Sequence, residues 1–375
     1  MRRRLERVPI EGAADAERRA WAVVERAFGE REPRRVRRSL LVPALVAAAV
    51  LAAALAVVAV SPAGPALVRS VRQAVGIAHA ERALVALPAP GRLLVDSSAG
   101  AWLVAADGSR RLLGPYAEAS WSPHGLFEVV SRRRELAAVD PAGTIHWSLA
   151  RSGPVRNARW SPDGYRIAYD DGRSLRVVAG DGTGDHLVAA SVRPVAPAWR
   201  PGTRHVLAYV DAAGAVRIVD ADTLQLLAQW HPLDAPLRLL WSPDGRRLLV
   251  AGRSSLALRS ASLHAIRTLR LPRSTILDVA WAPRGGRYAL AGYVAADDRT
   301  YVAVGGPRTR TVFQGTGRID GVEWSPDGRW LVLAWRTADQ WVFAPAARGG
   351  RLHAVAGITS QFHSRTFPRL AGWTR

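Results

Sequence analysis

A short phrase returns through the chain at nearly constant spacing. It reads Ala-Ser-Trp-Ser-Pro-His-Gly around Trp121 and Ala-Arg-Trp-Ser-Pro-Asp-Gly around Trp160. It returns as Ala-Trp-Arg-Pro-Gly at Trp199, Trp-Ser-Pro-Asp-Gly at Trp241, Ala-Trp-Ala-Pro-Arg-Gly at Trp281 and Glu-Trp-Ser-Pro-Asp-Gly at Trp324. A degenerate copy, Leu-Ala-Gly-Trp-Thr-Arg, falls at Trp373. Successive tryptophans lie roughly 40 residues apart, the period of a four-stranded propeller blade.

One unit shows why the period makes a blade. A strand ends at Trp160, and Ser161-Pro162-Asp163-Gly164 turns the chain. Proline presets φ at the second turn position and glycine takes the positive φ that closes it. Tyr165 to Tyr169 alternates Tyr, Ile and Tyr against Arg and Ala, the period of a strand. Turns at Asp171-Gly172 and Gly180 to Gly184 set off two more strands, Ser174 to Ala179 and His186 to Ala190. Four such strands expose apolar faces that only neighbouring blades can cover, so the blades must stack into a ring.

Three strand-like runs precede Trp121: Arg92 to Asp96, Ala101 to Ala105 and Arg110 to Leu113. They lack the innermost strand that carries the tryptophan. Three runs follow Gly328, at Trp330 to Trp335, Gln340 to Ala344 and Arg351 to Val355, and then comes a lone strand at Trp373. The count gives an all-β, seven-bladed β-propeller in which the last strand completes the first blade and removes a free sheet edge. A six-bladed ring with a tail is the alternative.

Half of the 14 tryptophans sit in the motifs. An indole repeated in every blade is a packing element that buries apolar area and ties its N–H to a carbonyl. Asp163, Asp244 and Asp327 recur as turn formers. Their slot holds His124 and Arg284 in other blades, a swap that a metal site would not tolerate.

The phrase Trp-Ser-Pro-Asp-Gly followed by a hydrophobic strand resembles the WD40-like, TolB-type propeller repeat of bacterial extracytoplasmic proteins. The likeness runs from about residue 90 to 375, with complete copies at Trp160, Trp241 and Trp324. It implies a rigid protein-binding scaffold; some relatives carry catalytic domains. TolB itself pairs its propeller with an N-terminal α/β domain. Here a membrane segment stands in that place, so the TolB role is not implied.

That segment is Leu40 to Val60, apolar and uncharged, long enough to span a bilayer as a helix. Arg31 to Arg38 precedes it densely, and Arg69 and Arg72 follow sparsely. The positive-inside rule then leaves the N-terminus in the cytoplasm and sends the propeller across. The domains expected are a cytoplasmic tail (1–38), a transmembrane helix (39–61), an extracytoplasmic helical linker (62–90) and the propeller (91–375). Pro65 to Ile77, with Leu67, Val68, Val71 and Val75 on one side, makes the amphipathic part of that linker. With no cysteine there is no disulfide and no lipoprotein anchor.

In the tail, Trp21, Val24 and Phe28 share one helical face. An isolated helix of this length is marginal in water, so the stripe either lies on the inner leaflet or docks on a cytoplasmic regulator. The formal net charge is +21, yet all 52 basic residues are arginine. With abundant alanine, glycine and proline, that is the imprint of a GC-rich coding sequence. The arginines are scattered, without the tract or fold of a nucleic-acid module, and attraction to anionic wall polymers or lipid headgroups is the remaining reading of the charge.

No Gly-x-Ser-x-Gly elbow, no thiol nucleophile and no metal-ligand spacing occur in the sequence. Gly180 to Asp185 lacks the third-position ligand and distal Glu of a calcium loop, and Asp297-Asp298 reads as a solvated turn. No catalytic residue, cofactor or metal is assigned. Two functions remain. One is a membrane-anchored scaffold or sensor that binds a protein or an envelope component outside. The other is a lactonase-like or lyase-like enzyme working at the channel mouth. An enzyme needs convergent polar side chains there. The predicted inner strands supply only Glu118, Asp278 and Glu323 as acids and no histidine.

Overall fold

The computed structural model describes residues 86–202, 204–306, 309–347 and 350–375. Trp21, Val24 and Phe28, the apolar run 40–60 and Pro65 to Ile77 lie outside the described residues. Among the described residues no helix is long and apolar enough to cross a membrane.

Every predicted turn separates two antiparallel strands, and the strands assemble into seven sheets of four. The inner strands are Arg369–Thr374, Glu118–Trp121, Val155–Trp160, Ala198–Trp199, Arg238–Trp241, Thr275–Trp281 and Ile319–Trp324, for blades 1 to 7. Blade 1 is closed by the end of the chain: Trp373 pairs with Leu93 and Thr374 with Arg92. The ring therefore has seven blades, and the six-bladed alternative is excluded. Blade 4 has the shortest inner strand. Pro197 has no N–H to give a ladder, so only Ala198–Trp199 pairs.

The Ser-Pro-Asp-Gly turn is a small hydrogen-bonded device. The Ser161 hydroxyl donates to Asp163 and accepts the Arg166 amide at 2.9 Å, while Asp163 Oδ1 accepts the Tyr165 amide at 3.0 Å. The same bonds recur around Ser242 with Asp244 and around Ser325 with Asp327. Glycine closes the turn at positive φ: Gly245 has φ +66°, and a Cβ there would meet the Pro201 carbonyl oxygen at 2.3 Å. The device also corrects a boundary. Tyr165 belongs to the turn and is 68% exposed, so the strand begins at Arg166 and its buried run is Ile167 to Asp170. The last strand of blade 7 likewise begins at His353, not Arg351.

The core is divided into seven apolar layers, one in each gap between neighbouring blades. Middle strands are buried on both faces, as in Leu93-Leu94-Val95 and Leu331 to Ala334, because each blade is covered by two others. Leu87 and Ala89 are already buried in the gap between blades 7 and 1, so the packed propeller begins a few residues before position 91.

Candidate functional site

The motif tryptophans occupy one position in all seven blades. Five donate their indole N–H to the preceding blade's inner strand. Trp121 reaches Gly372 O, Trp199 reaches Arg159 O and Trp241 reaches Ala198 O, at 3.2, 2.8 and 3.1 Å. Trp281 reaches Leu240 O and Trp324 reaches Ala280 O, at 3.0 and 3.1 Å. The buried indole nitrogens of Trp160 and Trp373 meet no acceptor among the described residues. Arginines cap four of the rings: Arg92 over Trp121, Arg200 over Trp241, Arg247 over Trp281 and Arg287 over Trp324, at 5.1 to 5.6 Å. These guanidiniums are part of the packing between blades.

Asp163, Asp244 and Asp327 lie in the turns described above. Asp163 also meets His205 Nε2 at 2.9 Å, and His205 Nδ1 contacts Asp222. The Ser242 hydroxyl bond holds the Asp244 carboxyl below the usual range. No group of three or more potential metal ligands forms among the described residues. Asp181 caps its own turn through Thr183, and Asp185 is held by Arg151, Arg176 and Tyr169. Asp297 pairs with Arg299 and Asp298 accepts from Tyr293.

Polar side chains converge on the channel. Glu118, Asp278 and Glu323 come from inner strands, and so do Arg159, Arg238 and Arg369. Asp96 and Asp170 join them from second strands, between the inner strands of adjacent blades. Three carboxylates act as staples across blade boundaries. Asp96 Oδ1 accepts the Ala119 amide at 3.0 Å, Glu118 Oε2 the Asn157 amide at 2.7 Å, and Asp278 Oδ2 the Val322 amide at 2.9 Å. Arg369 pairs with Asp96 at 2.8 Å and Arg238 with Asp278 at 2.6 Å. The side chain of Asn157, a residue at φ +55°, donates to Asp170 at 2.7 Å.

Burial dominates the acid strengths here. It pushes Asp96 up to about 6 against the pull of Arg369. It takes Asp170 to about 7 against the Asn157 hydrogen bond, and Glu323 to about 7 with the Asp278 charge adding to it. Asp278 is also raised by burial, against Arg238. Arg159 is enclosed by the channel wall. Among the described residues its Nη1 donates to the Ala158 carbonyl; Arg238 and Arg369 push against its charge, while Glu118 and Asp96 favour it.

A cavity of about 750 Å³ opens at one mouth of the channel, over blades 1 to 3. Asp96 and Glu118 are its more buried lining, and the half-exposed Arg369 lies over them. Arg132, Arg133 and Arg156 line its rim, with Phe367 beside them.

Sequence reasoning located Glu118, Asp278 and Glu323 but not Asp96, Asp170 or the arginines. The signal was present for the aspartates. Each ends an otherwise apolar buried run, Leu93-Leu94-Val95-Asp96 and Ile167-Ala168-Tyr169-Asp170.

No protein-family model and no curated protein sequence matches this chain. Solved structures do. A chain of the mitotic checkpoint complex superposes with a TM-score of 0.55 at 18% identity, covering 69% of this chain and 90% of that one. The Myceliophteria thermophila Cps50 (Swd1) β-propeller domain gives 0.52 at 13% identity, covering 64% and 86%. Kuenenia stuttgartiensis hydrazine synthase gives 0.51 at 15%, covering 61% and 76%. Identities this low speak for the fold alone. The protein is a seven-bladed β-propeller with WD40-like structural neighbours.

Proposed function

We propose that this chain is a bacterial, TolB-like, membrane-anchored scaffold or sensor. In this reading Leu40 to Val60 crosses the membrane once, the N-terminus lies in the cytoplasm and the propeller projects outside. The propeller binds a protein partner, and Trp21, Val24 and Phe28 hold a cytoplasmic regulator. One observation carries the scaffold reading. Asp96, Glu118 and Asp278 are engaged in stapling adjacent blades together, which makes the channel wall a rigid support for a binding surface.

A propeller enzyme is the competing reading. Glu323 favours it: it stands on the inner strand Ile319–Trp324, its carboxylate has no hydrogen bond or ion pair among the described residues, and burial raises it to about 7.

Affinity capture with the full-length chain tests the proposal, together with protease treatment of intact cells stripped of outer layers. A scaffold recovers a defined protein through the propeller, and the protease degrades the propeller while sparing the tail. Recovery of an envelope polymer alone, or protection of the propeller, overturns the corresponding part. Capture of a cytoplasmic protein that is lost when Trp21, Val24 and Phe28 all become serine supports the tail's role; binding to anionic vesicles alone removes it.

A further inference from the structure

Resting on the scaffold reading, we propose that the cavity over blades 1 to 3 is the docking site for an acidic segment of the partner protein. Its volume of about 750 Å³ falls within the range of ligand clefts, about 300 to 1,000 Å³. Charge is layered inside it. At the inner end, Asp96 and Glu118 already accept backbone amides, and the half-exposed Arg369 pairs with them from the solvent side. At the rim, the exposed guanidiniums of Arg132, Arg133 and Arg156 form no ion pair and no side-chain hydrogen bond among the described residues.

Arg133 adds a second observation. It stands in the two-residue turn between Arg132 and Glu135, which pair across the hairpin. Its φ is +52°, where the equivalent turn of blade 3 uses Gly172 at +66°. A side chain in that region is strained, and such strain marks positions where the residue itself matters. The strain is held in place: the Arg133 carbonyl accepts the Val155 amide at 2.8 Å and the Arg134 carbonyl accepts the Arg151 amide at 2.7 Å. Those two bonds bring the Arg133 turn beside the strand that carries Arg156.

The layering selects the ligand. A polyphosphate-type polymer carries charge on every repeat and would press anions against Asp96 and Glu118. A peptide can place its acidic side chains at the rim arginines while its N–H donors face the inner carboxylates. The half-buried Phe367 gives it an apolar contact.

The test uses the full-length chain and a fluorescent peptide alternating aspartate with serine, titrated by anisotropy at low and physiological salt. Changing Arg132, Arg133 and Arg156 to Gln is expected to weaken binding by about tenfold or more, because rim guanidiniums act together on one ligand. A control that removes equal charge across the ring, Arg267, Arg270 and Arg273 to Gln, is expected to change it by less than about twofold. Arg133→Gly separates recognition from folding. It relieves the positive-φ strain, so the melting temperature should hold or rise while the affinity falls. Absence of peptide binding, equal losses in the two triple variants, or inorganic polyphosphate binding more tightly than the peptide would each overturn the site. If the triple variant still captures the partner protein undiminished, the site fails while the scaffold reading stands.

Discussion

The two faces of blade 1 are built from different materials. Toward blade 7 the gap is filled by Trp341, Phe343, Phe362 and Trp373, with Trp341 against Phe362 at 5.1 Å and Phe343 edge-on to Trp373 at 6.1 Å. Toward blade 2 the gap contains Glu128, fully buried, with neither carboxylate oxygen hydrogen-bonded to another residue among the described ones. The residue paired with the motif tryptophan is Leu93, Ile167, Leu207, Leu248, Tyr288 or Leu331 in the other six blades. In blade 2 it is Glu128, opposite Trp121. The face packed against blade 7 is apolar and aromatic. The face over which the rim arginines gather accepts an ionisable group at a core position. Positions where the blades agree build the ring; positions where one blade departs from the others carry individual chemistry.

The largest effect should come from removing the closing strand. A chain ending at Pro368 exposes the edge of Arg92–Ser97 and strips Leu370 and Trp373 from the aromatic layer. Its melting temperature should fall by roughly 10 °C or more. A melt within a degree or two of the parent would show that blade 1 stands without it. Phe362→Ala comes next. It opens the aromatic face at a fully buried ring and should cost about 3–5 kcal/mol in chemical denaturation. A loss under about 1 kcal/mol would mean the layer relaxes around the gap.

Trp241→Ala and Trp160→Ala sharpen the comparison among blades. Both remove large packed rings, but only Trp241 also gives up a hydrogen bond, to Ala198 O. Trp241→Ala should therefore be the costlier by about 1 kcal/mol. The reverse order would point to an acceptor for the Trp160 indole. Asp244→Ala, which frees the Ser242 hydroxyl and the Arg246 amide at an exposed turn, should cost only about 0.5–1.5 kcal/mol.

Much of this ring was legible from spacing alone. Trp373 falls one period beyond Trp324, and the runs before Trp121 lack an inner strand, so the closure could be inferred. Glu128 was also readable once the blades are aligned on their tryptophans, because apolar residues fill that slot elsewhere. The channel was harder. Asp96 and Asp170 reach it from second strands, and the twist that brings a second-strand side chain between two inner strands is a property of the assembled ring. Arg133 could not be recognised at all: its significance lies in a positive φ that no local pattern announces.

The pH dependence of stability, measured for the full-length chain and for Glu128→Leu, tests the difference between the two faces most directly. Burial pushes the Glu128 carboxyl from 4.5 up to about 8, with Asp140 adding to the shift and Arg92 opposing it. The folded chain thus keeps a proton that the unfolded chain releases. Its contribution to stability is intact below about pH 4.5 and is lost progressively as pH rises toward about 8. Asp96, Asp170 and Glu323, raised to about 6 or 7, add their own decline in the same direction. Glu128→Leu, which installs the side chain found at this slot in blades 1, 4, 5 and 7, should be more stable than the parent at pH 8, with a shallower slope between pH 5 and 8. Parallel profiles, or a variant less stable than the parent at pH 8, would contradict the account.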